Sequence, residues 1–110
     1  MAPVFCLLVM ACGSPVPTDS KDGPVIFASY CASCHGPDGR PSQANVARLG
    51  VKDLTSPVIR KNMTAATVES QVRNGSQNKL MPSFLGVIPD TQMQAVAEWV
   101  ANPAFVTPPP

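Results

Sequence analysis

The chain has 110 residues, of which 45% are apolar and 14% charged, and a formal net charge of +1. Eight Lys and Arg balance seven Asp and Glu, which excludes the dense positive surface that nucleic acid selects. The length sets one domain as the expectation, with a core that is marginal unaided.

Residues 1–11 are apolar throughout. The run is too short for a membrane-spanning helix, which needs about 20 residues, and suits the hydrophobic part of an export signal. Val9-Met10-Ala11-Cys12-Gly13-Ser14 resembles the lipobox of bacterial lipoproteins. That resemblance implies cleavage before Cys12, lipid on its thiol, and a membrane surface as partner on the periplasmic side. No Lys or Arg precedes the apolar run, a departure from the usual pattern. Residues 12–22, with Ser14, Pro15, Pro17, Thr18 and Ser20, read as a flexible tether.

Ser20 or Asp22 can cap a first helix, and Pro24 is tolerable only in its first turn. Gly23, Phe27 and Cys31 fall four apart on one face. The helix runs into Cys31-Ala32-Ser33-Cys34-His35-Gly36, and C-x-x-C-H is the attachment motif of a c-type haem. Two thiols three positions apart reach the two vinyl groups on one haem edge and form thioethers. His35 is then carried under the iron, where its imidazole serves as an axial ligand. Other chemistry fits less well. A thioredoxin-like pair needs a βαβ context, and no β-branched strand run precedes Cys31. A closed zinc site needs four ligands, whereas His35 is the only histidine and Cys6 and Cys12 lie in the leading segment. With Cys31 and Cys34 committed to haem, no pair remains for a structural disulfide. One covalent haem c would supply apolar interior that a chain this small lacks.

Gly36-Pro37-Asp38-Gly39-Arg40-Pro41 is a turn-rich loop. A carbonyl there, with Pro41 the candidate, is expected to accept the second ring N–H of His35. A short helix fits Ser42 to Leu49, and Ala44, Val46, Leu49, Val51 and Leu54 are read as apolar contacts. Leu54-Thr55-Ser56-Pro57 reads as a turn and Arg60-Lys61 as a solvated pair. Thr64 caps a helix to Asn74, with Val68 and Val72 on one face, and Asn74-Gly75 stops it. Asp90 is the expected cap of a last helix, whose buried stripe is Met93, Val96, Ala97 and Val100. Asn102-Pro103 ends it, and the proline-rich tail 103–110 is expected to be extended and unpacked.

The iron's sixth position calls for a second ligand, and Met63, Met81 and Met93 follow the haem motif. Met93 falls in a helical stripe and Met63 just before a cap. Met81 lies in an irregular strap between Gly75 and Pro82, and a loop brings a thioether to an iron face that a regular helix would block. Pro82 stiffens that strap. The haem motif, Val72-Arg-Asn-Gly75, Met81-Pro82-Ser83-Phe84 and Ala97-Glu98-Trp99-Val100 together resemble the bacterial class I cytochromes c over residues 23–102. The resemblance implies an all-α fold of three to five helices wrapped around one covalent haem. It implies Met81 as distal ligand opposite His35, and a crossing of Gly23 and Phe27 with Val96 and Trp99. It implies a one-electron carrier, not an enzyme, working between a redox protein donor and acceptor. Two alternatives stand beside that reading. One is a haem-based sensor or enzyme in which Met81 leaves the iron; the other is a fixed electron-transfer subunit of a larger oxidoreductase.

Overall fold

A computed structural model describes residues 16–106, and these are helices and turns without strands. The apolar segment 1–11, Cys12 and the first part of the tether lie outside the described residues, as do residues 107–110. In chain order the helices are α1 (Gly23–Tyr30), α2 (Ala32–His35), α3 (Gln43–Leu49), α4 (Pro57–Arg60), α5 (Ala65–Asn74) and α6 (Asp90–Ala101), followed by a 3-10 turn at Pro103–Phe105. The number exceeds expectation because α2 and α4 are single turns of four residues each. Among the described residues no helix is long and apolar enough to cross a membrane.

α1 begins where the Asp22 carboxylate accepts the Val25 N–H at 3.2 Å, with Pro24 in the first turn, where its missing N–H costs nothing. Gly23, Ile26 and Phe27 form its buried face. α6 buries Met93, Val96, Ala97 and Val100, the stripe read from its periodicity. The two helices cross at Gly23. A Cβ there would collide with Cβ of Trp99 and sit 3.0 Å from the Ala95 carbonyl, so only glycine lets the backbones come this close. Phe105 fills the angle, edge-on to Phe27 at 5.2 Å and to Trp99 at 5.7 Å between ring centroids. Ile26, Phe27, Val96, Val100 and Phe105 make one core, while Val72, Ile88 and Met93 make a second between α5 and α6. Full burial of each such side chain is worth about 1.5–3 kcal/mol.

Several expectations change. Asp90 does not cap α6. Pro89, in an extended conformation, holds the cap position without a side-chain bond. Asp90 lies one residue inside, and its carboxylate is drawn 2.9 Å from the Arg73 guanidinium. The chain also stays packed beyond Asn102. The Asn102 side chain accepts the Ala104 N–H at 2.8 Å and turns the backbone so that Phe105 enters the core. The tether is likewise fastened from Val16 onward. Val16 packs on the first core, and the buried Gln92 donates Nε2–H to the Pro17 carbonyl at 2.6 Å. A buried amide without a partner is costly, and that carbonyl supplies one.

Arg60 is not solvated as its neighbour Lys61 is. Its Nη1 donates to the carbonyls of Leu54 and Val100 at 3.0 Å each, and its Nη2 to that of Asn102 at 3.1 Å. The guanidinium also lies 5.6 Å from the Phe105 ring centre. The end of α6 presents carbonyls with no helical partner and a negative dipole end, and a forked cation satisfies both. α3 departs from expectation in the other direction. It buries none of its own residues, and Val46 is 47% exposed.

Candidate haem-attachment site

Cys31 ends α1 and opens α2. Its N–H reaches the Phe27 carbonyl at 2.9 Å, and its own carbonyl accepts the His35 N–H at 2.9 Å. The chain thus passes from one helix to the next through the first cysteine, and the single turn of α2 carries Cys34 and His35 forward. Cys31 and Cys34 are free thiols, each half-buried, and Cys31 packs against the first core. Burial, and then the neighbouring Cys34, push the Cys31 thiol up to about 11.

His35 is held by its Nδ1, 3.1 Å from the carbonyl of Lys52. A carbonyl only accepts, so the ring proton belongs on Nδ1 and the Nε2 lone pair is left for a metal. Burial lowers the His35 pKa, against a smaller opposing effect of the Lys52 carbonyl. The neutral imidazole thus favoured is the form that ligates. The partner is not Pro41 or its loop. That loop turns inward instead: the Gly39 carbonyl accepts the Leu54 N–H at 2.9 Å, and Arg40 folds back on Asp38 at 3.1 Å. Sequence reasoning also missed Asn45. Its Nδ2 donates to the carbonyls of Ser33 at 3.2 Å and Cys34 at 3.4 Å. α3, which adds nothing to the core, therefore steadies the attachment turn. A polar residue in the first turn after the Ser42 cap was the only signal available.

The methionines separate by surroundings. Met93 is 1% exposed in the second core. Met63 is half-buried beside the first core, and Arg60 Nη1 lies 3.5 Å from its sulfur. Met81 is half-buried against the second core on an irregular strap. The strap meets the end of α1 through Phe84, whose ring lies edge-on to Tyr30 at 6.4 Å. Tyr30 directly precedes Cys31 and packs against both cores. The strap is docked on the end of α5: the Phe84 N–H donates to the Val72 carbonyl at 3.0 Å, and the Ser83 hydroxyl donates to the Arg73 carbonyl. Gly75, at φ 71°, admits this closeness, since a Cβ would sit 2.6 Å from the Met81 carbonyl.

The residues suit a covalent haem. Two free thiols flank one turn, an oriented imidazole follows with Nε2 uncommitted, apolar cores back the turn, and a thioether lies on a strap that touches Tyr30, the residue before Cys31. Thioether formation would consume both thiols, and the imidazole would serve as the proximal ligand.

Comparison with known proteins points the same way. Residues 18–100 match the family described as cytochrome C oxidase, cbb3-type, subunit III. The chain is 39% identical over 87 residues to cytochrome c6 of Synechocystis sp., covering 78% of this chain and 67% of that protein. It is 34% identical over 88 residues to cytochrome c6 of Leptolyngbya boryana, covering 78% of this chain and 94% of that one. It is 32% identical over 81 residues to the cbb3-type cytochrome c oxidase subunit FixP of Azorhizobium caulinodans, a match that spans only 26% of FixP. Among solved structures, the KustC0563 c-type cytochrome superposes with a TM-score of 0.64 at 21% identity, covering 73% of this chain and 94% of that chain. That likeness bears on the fold alone.

Proposed function

The chain belongs to the c-type cytochromes, in the family of cbb3-type oxidase subunit III, and we propose that His35 and Met81 are the axial ligands of its iron and that it shuttles electrons between two redox proteins on the exported side of a membrane. Its cofactor is one covalently held haem c, and its task is one-electron transfer rather than substrate turnover.

Bound haem supplies an iron that accepts and returns one electron. The protein's part is positional and electrostatic. Cys31 and Cys34 fix the macrocycle, and the Lys52 carbonyl holds the His35 ring so that Nε2 is presented. The Met81 thioether would favour the ferrous state and raise the potential relative to a second imidazole. Apolar surroundings act in the same sense, because burial penalises the extra positive charge of the oxidised centre. With His35 and Met81 both holding the iron, no open coordination position would be left for a substrate. The observation that carries this reading is the attachment turn itself, with its two free thiols and its Nδ1-anchored imidazole.

Leu80, Leu85 and Val87 are 49%, 54% and 60% exposed on and beside the strap. With a net charge of only +1, they support docking through an apolar patch rather than a ring of lysines, in a small and short-lived contact. The match to FixP supports a second arrangement, residence in a larger oxidoreductase, and co-purification from native membranes separates the two. Val9-Met10-Ala11-Cys12 supports export with a lipid on Cys12, so Cys12→Ser should move the protein from the membrane fraction to the soluble one.

The ligand assignment is tested on the ferric protein, which should show the weak sulfur-to-iron charge-transfer band in the red. Met81→Ala should abolish the band and open the iron to carbon monoxide after reduction. Met63→Ala and Met93→Ala should leave it in place. A band that survives Met81→Ala removes Met81 from the site.

A further inference from the structure

The strap around Met81 contains more hydrogen bonding than a turn needs. The Ser76 carbonyl accepts the Lys79 N–H at 3.0 Å, which alone would close a turn. Ser76 does two further things. Its own N–H donates to the Met81 carbonyl at 2.9 Å, and its hydroxyl oxygen accepts the Met81 N–H at 3.0 Å. The same hydroxyl donates its proton to Asn78 Oδ1 at 2.6 Å, and that oxygen also accepts the Leu80 N–H at 3.1 Å. The hydroxyl proton is thereby committed to Asn78, leaving its lone pairs toward Met81.

The backbone records the cost of this arrangement. Lys79, at φ 61°, is the only non-glycine residue with positive φ among the described residues. It stands two positions before Met81. Such a conformation persists where surrounding bonds over-determine it. On the far side of Met81, Ser83 and Phe84 fasten the strap to α5 through the Arg73 and Val72 carbonyls. Met81 is therefore gripped before and after, and among the described residues the side chain that contacts its backbone N–H is that of Ser76.

We propose that Ser76 is the positioning residue of Met81: it brackets the Met81 peptide on both its N–H and its carbonyl and thereby aims the thioether. The inference rests on Met81 being the distal ligand. A thioether is a neutral and weakly held donor, so its hold depends on how much freedom the backbone loses on ligation. A bracket formed by the protein alone takes up that loss in folding. All of its hydrogen bonds lie within the protein, so the bracket is in place before any ligation.

The test uses the haem-loaded full chain. In Ser76→Ala the rate at which added imidazole displaces the thioether should rise about three- to tenfold, the range for one lost hydrogen bond. The Met81 amide should exchange with deuterium faster by a similar factor. The charge-transfer band should vanish at a lower temperature than in the parent, while the helical melt stays in place. Ser76→Thr retains a hydroxyl and should restore all three. Unchanged displacement and amide exchange in Ser76→Ala, or a Ser76→Thr variant that behaves like Ser76→Ala, would overturn the bracket while leaving the ligand reading intact. Persistence of the band in Met81→Ala would sink the ligand reading and the positioning role together.

Discussion

Two glycines mark two ways of holding a chain close to itself. At Gly23 the approach is helix on helix, and it is held chiefly by fit: Ile26, Phe27, Val96, Val100 and Phe105 lock together. At Gly75 the approach is strap on helix end, and it is held by hydrogen bonds from Ser76, Ser83 and Phe84. The crossing backs the thiol end of the site and the strap carries the proposed thioether. Damage at the crossing should therefore show in the stability of the whole domain. Damage at the strap should show in the ligation while the helices persist.

The sharpest way to break this contrast is Phe27→Ala. Phe27 is 2% exposed, and its loss should cost about 3–5 kcal/mol out of a total of about 5–15. Urea unfolding followed by far-UV circular dichroism reads it, and a loss under about 1 kcal/mol would show that the crossing is not what closes the fold. Paired glycine variants come next. Gly23→Ala should lower the helical melt by about 1–3 kcal/mol through overpacking. Gly75→Ala should instead remove the red band at temperatures where the helices remain. If the two variants give the same pattern, the division between fit and hydrogen bonding fails. Arg60→Ala strips partners from the carbonyls of Leu54, Val100 and Asn102. It should cost about 1–3 kcal/mol in the same urea assay, and Arg60→Lys should not restore it, because an ammonium lacks the fork.

A pH series on haem-free protein sharpens the thiol side. The folded His35 pKa lies below its ordinary 6.5, so the unfolded chain takes up that proton first. The stability it contributes is complete above pH 6.5 and drains away as pH falls through the folded value. The Cys31 thiol runs the other way, raised from 9.0 to about 11. Its contribution is complete below pH 9 and is lost as pH rises toward 11. Unfolding midpoints should therefore plateau between these limits, and haem attachment should flatten the alkaline edge by removing the thiol. The smallest effect expected is that of Asp90→Asn. Its exposed pair with Arg73 links α5 to α6, and a slight drop in midpoint should disappear in high salt.

What could be read in advance was local. Thr64, Asn74 and Gly75 bound α5 as their chemistry dictates, and the periodicity of α6 picked out its buried face. The Gly23–Trp99 crossing was foreseen through a family resemblance, and fine periodicity alone would not have paired those residues. What escaped was mostly a side chain or N–H reaching a distant carbonyl. His35 finds Lys52 at 17 residues' separation, Gln92 finds Pro17 at 75, and Arg60 finds Val100 at 40. Every residue has a carbonyl, so composition gives no clue to which one is used. Phe105 escaped for another reason: three prolines at the end suggested loose chain, and a single Asn102 turn was enough to bring the ring home.

The crossing also has a meaning in time. α1 and α6 lie near opposite ends of the described chain, and a ribosome delivers the first long before the second. Phe27 and the neighbouring Cys31 pack in a core whose other members, Val96, Val100 and Phe105, come from the far end of the described chain. The burial of the attachment turn therefore depends on residues that follow it by a long stretch of chain. Because α6 follows the attachment turn in the chain, the order of the polypeptide leaves Cys31 and Cys34 to be joined to a bulky group before the crossing that buries them can close.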